Sequence, residues 1–136
     1  MDAPEGSIEL FHGYTYSGHP VAAAAALATL DVYKEEGLFE RAATLSQYWE
    51  DAIHSLKGVR HVIDLRNIGL VGGIELESRP GAVGARAFEA FTKAFDKGVL
   101  IRVTADIIAL SPPLIVEKPQ IDQMVDTVRT VLKDVA

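Results

Sequence analysis

The sequence predicts one mixed α/β (α+β) domain: a small, largely antiparallel sheet with helices packed on it. Three observations support this. The 136 residues are 49% hydrophobic, enough apolar material for one ordinary core. Helical and strand-like patterns follow one another in the order helix, helix, two strands, helix, two strands, helix. Within each strand pair only a short turn intervenes, so the strands read as neighbours, and a sheet sandwiched against helices results.

The elements are justified in turn. Pro20 has a fixed φ that suits a first helical turn, and the alanine-rich run from Val21 to Lys34 ends at Gly37, a C-terminal cap. Leu38, Ala42, Leu45, Trp49, Ala52, Ile53 and Leu56 recur every three or four residues up to Gly58, the stripe of a second helix that meets the first at a bend near Gly37. "HVIDLRN" and "GLVGGIELE" are short and β-branched, separated by a turn at Asn67-Ile68-Gly69. Phe88, Phe91 and Phe95 line the buried face of a helix from about Gly84 to Lys97, closed by Gly98. Then "VLIRVTADIIALSPP" forms a tight strand pair turning near Ala105-Asp106 and stopped by Pro112-Pro113. Pro119 opens the last helix, with Ile121, Met124, Val125, Val128 and Leu132 inward.

Composition excludes several functions. Nineteen acids against thirteen Lys and Arg give a net charge of −6, opposite to the basic footprint of a nucleic-acid binder. With no cysteine and four scattered histidines lacking H-E-x-x-H spacing, neither a disulfide framework nor a metal centre is expected. The acidic N-terminus does not resemble a signal peptide and no apolar run would span a bilayer, so the expectation is a soluble cytoplasmic chain with no membrane partner.

Few residues point to chemistry by themselves. The stretch before Pro20, "FHGYTYSGHP", crowds hydroxyls and glycines ahead of a helix start, whose free N–H groups and partial positive charge suit an anion or simply a side-chain cap. Alternation through Val99 to Val103 puts Leu100, Arg102 and Thr104 on one face and Val99, Ile101 and Val103 on the other, which is core. Arg102 then reads as an edge-strand charge pairing with Asp106 or another acid. His54 and His61 read as solvated or capping, and His12 has no acid/base partner beside it. Gly69, Gly72 and Gly73 lack G-x-G-x-x-G context and serve a turn and close packing, while Trp49 and the phenylalanines are core by spacing.

"FHGYTYSGHPVAAAAALATLDVYKEEGL", "IGLVGGIELE" and "GVLIRVTADIIALSPPLI" occur in the order found in the C-terminal part of class III, pyridoxal-phosphate-dependent aminotransferases, and most closely resemble the members acting on ω-amino acids such as β-alanine with pyruvate. The resemblance runs from Glu9 to the end, and G-Y-T-Y-S-G-H-P is its most specific signature. It implies the small C-terminal domain of a fold-type I enzyme preceded by a long connecting helix: an N-terminal segment with a phosphate-contacting loop at 1–20, the connecting helix at 21–37 and the small domain at 38–136. In the family the residues matching Tyr14 and Thr15 reach across a homodimer to the phosphate of the neighbouring subunit's cofactor, a role fitting donors near a helix start. The residue matching Arg102 forks onto the substrate carboxylate and swings away from donors that have none. Ser17, Gly18, His19 and Pro20 keep structural roles there: a tight turn, a cap and a first-turn proline.

What the resemblance leaves out matters equally. The family's chemistry needs a Lys linked covalently to the cofactor, an acid for the pyridinium nitrogen and a bed for the ring, all upstream of the T-Y-S-G-H-P segment. None of Lys34, Lys57, Lys93, Lys97, Lys118 or Lys133 matches that Lys. The expectation is therefore a C-terminal fragment of a transaminase, inactive alone and holding no cofactor by itself. The same gap would suit a non-catalytic dimerisation or interaction module of this fold.

Overall fold

The computed structural model describes residues 13–136, in two units, one within residues 1–36 and the other Gly37–Ala136. Of the first unit the described part is a turn and helix α1 (Pro20–Glu35). Proline takes the first helical turn, as its fixed φ favours, but the N-cap residue His19 makes no side-chain bond to the helix. The expected side-chain cap is absent because the turn is set by backbone geometry instead. Tyr16 and Gly18 hold φ of 62° and 73°, and the Ser17 and His19 amides donate to the carbonyls of Tyr14 and Tyr16 at 2.8 and 3.1 Å.

The second unit contains α2 (Leu38–His54), β1 (Val62–Ile68), β2 (Val71–Leu76), α3 (Ala85–Asp96), β3 (Arg102–Thr104), β4 (Ile107–Leu110) and α4 (Lys118–Asp134). The four strands pair antiparallel in the order β1-β2-β4-β3. Gly72, Ile74 and Leu76 of β2 and Ile108 and Leu110 of β4 are buried, whereas Val71 and Arg102, which point the other way, are exposed. Helices α2 and α3 pack on the buried face and α4 lies against both. The core is centred on Trp49, Ile53, Ile74, Ile108, Ile121 and Leu132, all fully buried. Gly72 lets α2 close on the sheet: a Cβ there would sit 3.0 Å from Ile53 Cδ1 and 3.2 Å from Trp49 Cζ2. The sequence-based assignment of Gly72 to close packing holds.

Three local expectations fail. The β1–β2 turn is Gly69-Leu70, because Asn67 and Ile68 stay in the ladder opposite Gly72 and Val71. Gly69, with φ 51°, supplies the left-handed residue that a two-residue hairpin needs. On α3 the buried residues are Arg86, Ala87, Ala90 and Ala94, while Phe88 and Phe95 are each 62% exposed and only Phe91 is partly covered. The phenylalanines are thus stacked along the outside, ring centres 6.0 and 6.5 Å apart. The small alanines face inward because they allow the helix backbone to approach β3, β4 and α4 closely. Lastly, His61 is neither solvated nor a cap. Its side chain is 10% exposed, its Nε2 is buried without a partner and its backbone takes φ 68°. His54 does bond, through Nε2, to Asn67 Oδ1 at 3.0 Å.

Candidate functional site

Tyr14 and Thr15 share the turn that precedes α1, and both are exposed. Three properties of this helix start fit a phosphate. The first-turn N–H groups have no intrahelical acceptor, His19 provides no side-chain cap, and no acid occupies the first turn to repel an anion. Thr15 adds a hydroxyl donor and Tyr14 a phenol from the same turn. His12 lies outside the described residues, as does the part of the signature before Gly13.

Arg102 belongs to the other unit. It opens β3, one of the two edge strands, opposite Ala109 of β4, and its side chain is exposed. The alternation read from the sequence is present: Val99 and Ile101 are buried and Leu100 is 74% exposed. A groove of about 1010 Å³ runs past it, walled by Phe88, Phe91 and Leu100, with Ser111 and Gln123 as polar lining. Among the described residues Arg102 is the only charged side chain of that lining. A guanidinium on an exposed stem beside apolar walls can fork onto a carboxylate while the rest of the ligand lies against hydrocarbon.

The expected pairing of Arg102 with Asp106 does not form. Asp106 is only 4% exposed, and its carboxylate is turned to the start of α3, accepting the Gly84 amide at 2.7 Å and the Ala87 amide at 3.2 Å. Burial pushes its carboxyl pKa up, but those two amides, the Ser78 hydroxyl and the Arg86 charge outweigh it, and the group ends below the ordinary carboxylate range. Asp106 therefore stays ionised and caps a helix whose own N-cap, Gly84, has no side chain to do so. An Asp in a hairpin turn carries no local sign of this task, since its partners are about twenty residues away.

Arg66 has a different fate. Its Nη1 bonds Asp64 at 2.5 Å and Glu75 at 2.8 Å, and these acids hold its pKa above the usual guanidinium value, so it is occupied by neighbours. No cluster of three or more metal-ligating side chains exists among the described residues, and no described helix is long and apolar enough to cross a membrane.

A family model described as aminotransferase class-III matches residues 2–132. The chain belongs to the class III aminotransferase family. It is 65% identical over 99% of its length to a Caulobacter vibrioides protein named omega-aminotransferase, and 38% identical over 98% to a Pseudomonas aeruginosa beta-alanine–pyruvate aminotransferase. Among solved structures, a thermostable omega transaminase variant from Pseudomonas jessenii superimposes with a TM-score of 0.83 at 32% identity over 93% of the chain. An adenosylmethionine-8-amino-7-oxononanoate aminotransferase from Methanocaldococcus jannaschii gives 0.82 at 30% identity. These relatives are longer. The chain spans 31% and 30% of the two curated relatives and 30% of each solved structure. The fold is that of the corresponding part of these transaminases, with four helices and a small antiparallel sheet among the described residues.

Proposed function

We propose that this chain is the C-terminal part of a pyridoxal-phosphate-dependent transaminase that moves an amino group from an ω-amino acid or a simple amine to pyruvate, acting as a homodimer or higher homo-oligomer. The 65% identity to a protein named omega-aminotransferase supports the reaction class. Names of two further relatives, beta-alanine–pyruvate and omega-amino acid–pyruvate aminotransferase, support the donor and acceptor. When bound, the cofactor supplies the carbonyl that accepts the amino group and the ring that delocalises the developing charge. The chain's own contribution is binding: Thr15, Tyr14 and the first-turn amides of α1 donate to a phosphate, and Arg102 binds the acceptor's carboxylate. Because no lysine here matches the one that holds the cofactor, the chain by itself is inactive.

The observation that carries the substrate assignment is Arg102, exposed on an edge strand as the one charge that the described residues place along an apolar groove. The test is Arg102→Ala in the full-length parent, with the two half-reactions measured separately. Losing a charge-assisted bidentate contact costs on the order of 2–4 kcal/mol, so kcat/KM for pyruvate should fall roughly thirty- to a thousandfold. An amine donor without a carboxylate should be affected much less. Equal losses for both substrates, with folding unchanged, would make Arg102 structural.

A further inference from the structure

The position of Arg102 depends on what holds β3. That strand is three residues long, lies at the sheet edge and pairs only with β4. An edge strand this short has few ladder bonds to fix its tilt. Its second restraint is the two-residue turn that follows, Ala105-Asp106, where Ala105 takes φ 48°. The turn is tied down at two points. The main-chain oxygen of Asp106 accepts the Leu76 amide of β2 at 2.8 Å, and its side chain accepts the Gly84 and Ala87 amides at the start of α3.

These contacts close a loop in the chain. From Gly84 the backbone runs along α3, turns at Gly98, passes through Val99 and Ile101 into Arg102, and reaches Asp106, whose carboxylate returns to Gly84. Arg102 lies inside that loop, two residues and so about 7 Å along the strand before its last residue, Thr104. The Gly84 and Ala105 backbones also touch: a Cβ on Gly84 would lie 3.6 Å from the Ala105 Cα. Nothing else in the hairpin makes a side-chain hydrogen bond to α3 among the described residues. Asp106 is nearly fully buried, and it stays charged because amides, a hydroxyl and Arg86 surround it, so the tie is short and directional.

We propose that Asp106 is a positioning residue for the carboxylate site: by fastening the β3–β4 turn to the N-terminus of α3, it sets the tilt of the edge strand and with it the place from which the Arg102 guanidinium meets its ligand. This rests on the reading of Arg102 given above. Asp106 does not touch the ligand. Asp106→Asn keeps the shape of the side chain but replaces an acceptor oxygen with an NH₂ facing backbone amides, so the turn moves off the helix start. Ser78→Ala is the milder variant, removing one hydroxyl donor and leaving both amide contacts.

The experiment is a double-mutant cycle in the full-length parent, with kcat/KM measured separately for the pyruvate half-reaction and for a carboxylate-free amine donor. Asp106→Asn should lower the pyruvate value about tenfold and leave the amine value within about twofold, since misplacing a binding group by a fraction of an ångström acts only on the ligand that uses it. In an Arg102→Ala background the same substitution should change neither. Ser78→Ala should shift the pyruvate value in the same direction by less, and it carries the test if Asp106→Asn does not fold. Equal effects on both substrates, or an Asp106→Asn loss that persists without Arg102, would overturn the proposal and leave Asp106 as a stability residue. If Arg102→Ala is selective for pyruvate while neither Asp106→Asn nor Ser78→Ala is, only the positioning role falls. If Arg102→Ala itself shows no selectivity, the carboxylate site falls and the positioning role with it.

Discussion

Gly72 offers the sharpest check on how the helices seat against the sheet. A methyl group at this position would meet Ile53 Cδ1 at 3.0 Å, Ile53 Cγ1 at 3.1 Å and Trp49 Cζ2 at 3.2 Å. Trp49 and Ile53 are both fully buried, so neither can swing into solvent to make room. Overpacking of this kind costs about 1–3 kcal/mol, against which replacing a strand glycine by alanine returns roughly 0.5–1 kcal/mol of backbone entropy. The net expectation for Gly72→Ala is a loss of about 1–2 kcal/mol in urea denaturation of the 136-residue chain followed by circular dichroism. Ile53→Val removes the methyl nearest the clash, so the pair should be less damaging than the sum of its parts, with a coupling of about 0.5–1 kcal/mol. Gly73→Ala is the internal control. There the added Cβ meets Arg66 Cγ at 3.3 Å, and that side chain is half exposed and can shift, so the change should lie within about 0.5 kcal/mol. Equal losses at 72 and 73, or no coupling to Ile53, would refute the view that Gly72 is selected by the approach of α2 to the sheet.

Two further outcomes follow from the proposed cofactor contacts. In the full-length parent, Thr15→Ala removes one charge-assisted hydrogen bond and should weaken cofactor retention roughly ten- to a hundredfold, with Thr15→Ser mild; equal thermal destabilisation of apo and loaded protein would mark Thr15 as part of a helix start only. Mixed with pyridoxal phosphate and borohydride, the 136-residue chain should yield no stoichiometric lysine adduct, and a saturable adduct at one lysine, detected by mass spectrometry, would defeat the fragment reading.

The order and type of every described element were legible in the sequence because periodicity is a local property: the α2 stripe from Leu38 to Leu56 and the α4 stripe from Ile121 to Leu132 are buried much as their spacing implies. What failed depended on partners distant in sequence. On α3 two stripes share one spacing, Phe88-Phe91-Phe95 and Ala87-Ala90-Ala94, and hydrophobicity alone favours the aromatic one. The alanine stripe is the buried one because close backbone approach decides which face goes inward, a fact set by β3, β4 and α4. His61 shows the same limit. A lone His at a strand start gives no sign that its ring will be buried beside Glu77, 3.8 Å away. For the site, alternation correctly placed Arg102 on the open face, but its supposed partner Asp106 was already committed to Gly84 and Ala87.

That commitment bears on how the chain divides its work. A guanidinium that must accept a carboxylate and then yield to a ligand without one has to remain free of fixed acids, because an adjacent buried carboxylate would hold it permanently. Arg66, on β1 at the opposite edge of the sheet, shows the alternative: its guanidinium is gripped by Asp64 and Glu75. At Arg102 the nearest acid in sequence is instead consumed by two backbone amides, a hydroxyl and Arg86. The same side chain that fixes the hairpin thus also keeps its negative charge away from the cation that lines the groove. An acid satisfied elsewhere leaves Arg102 available, and that condition cannot be read from the five residues "RVTAD" without knowing where Gly84 lies.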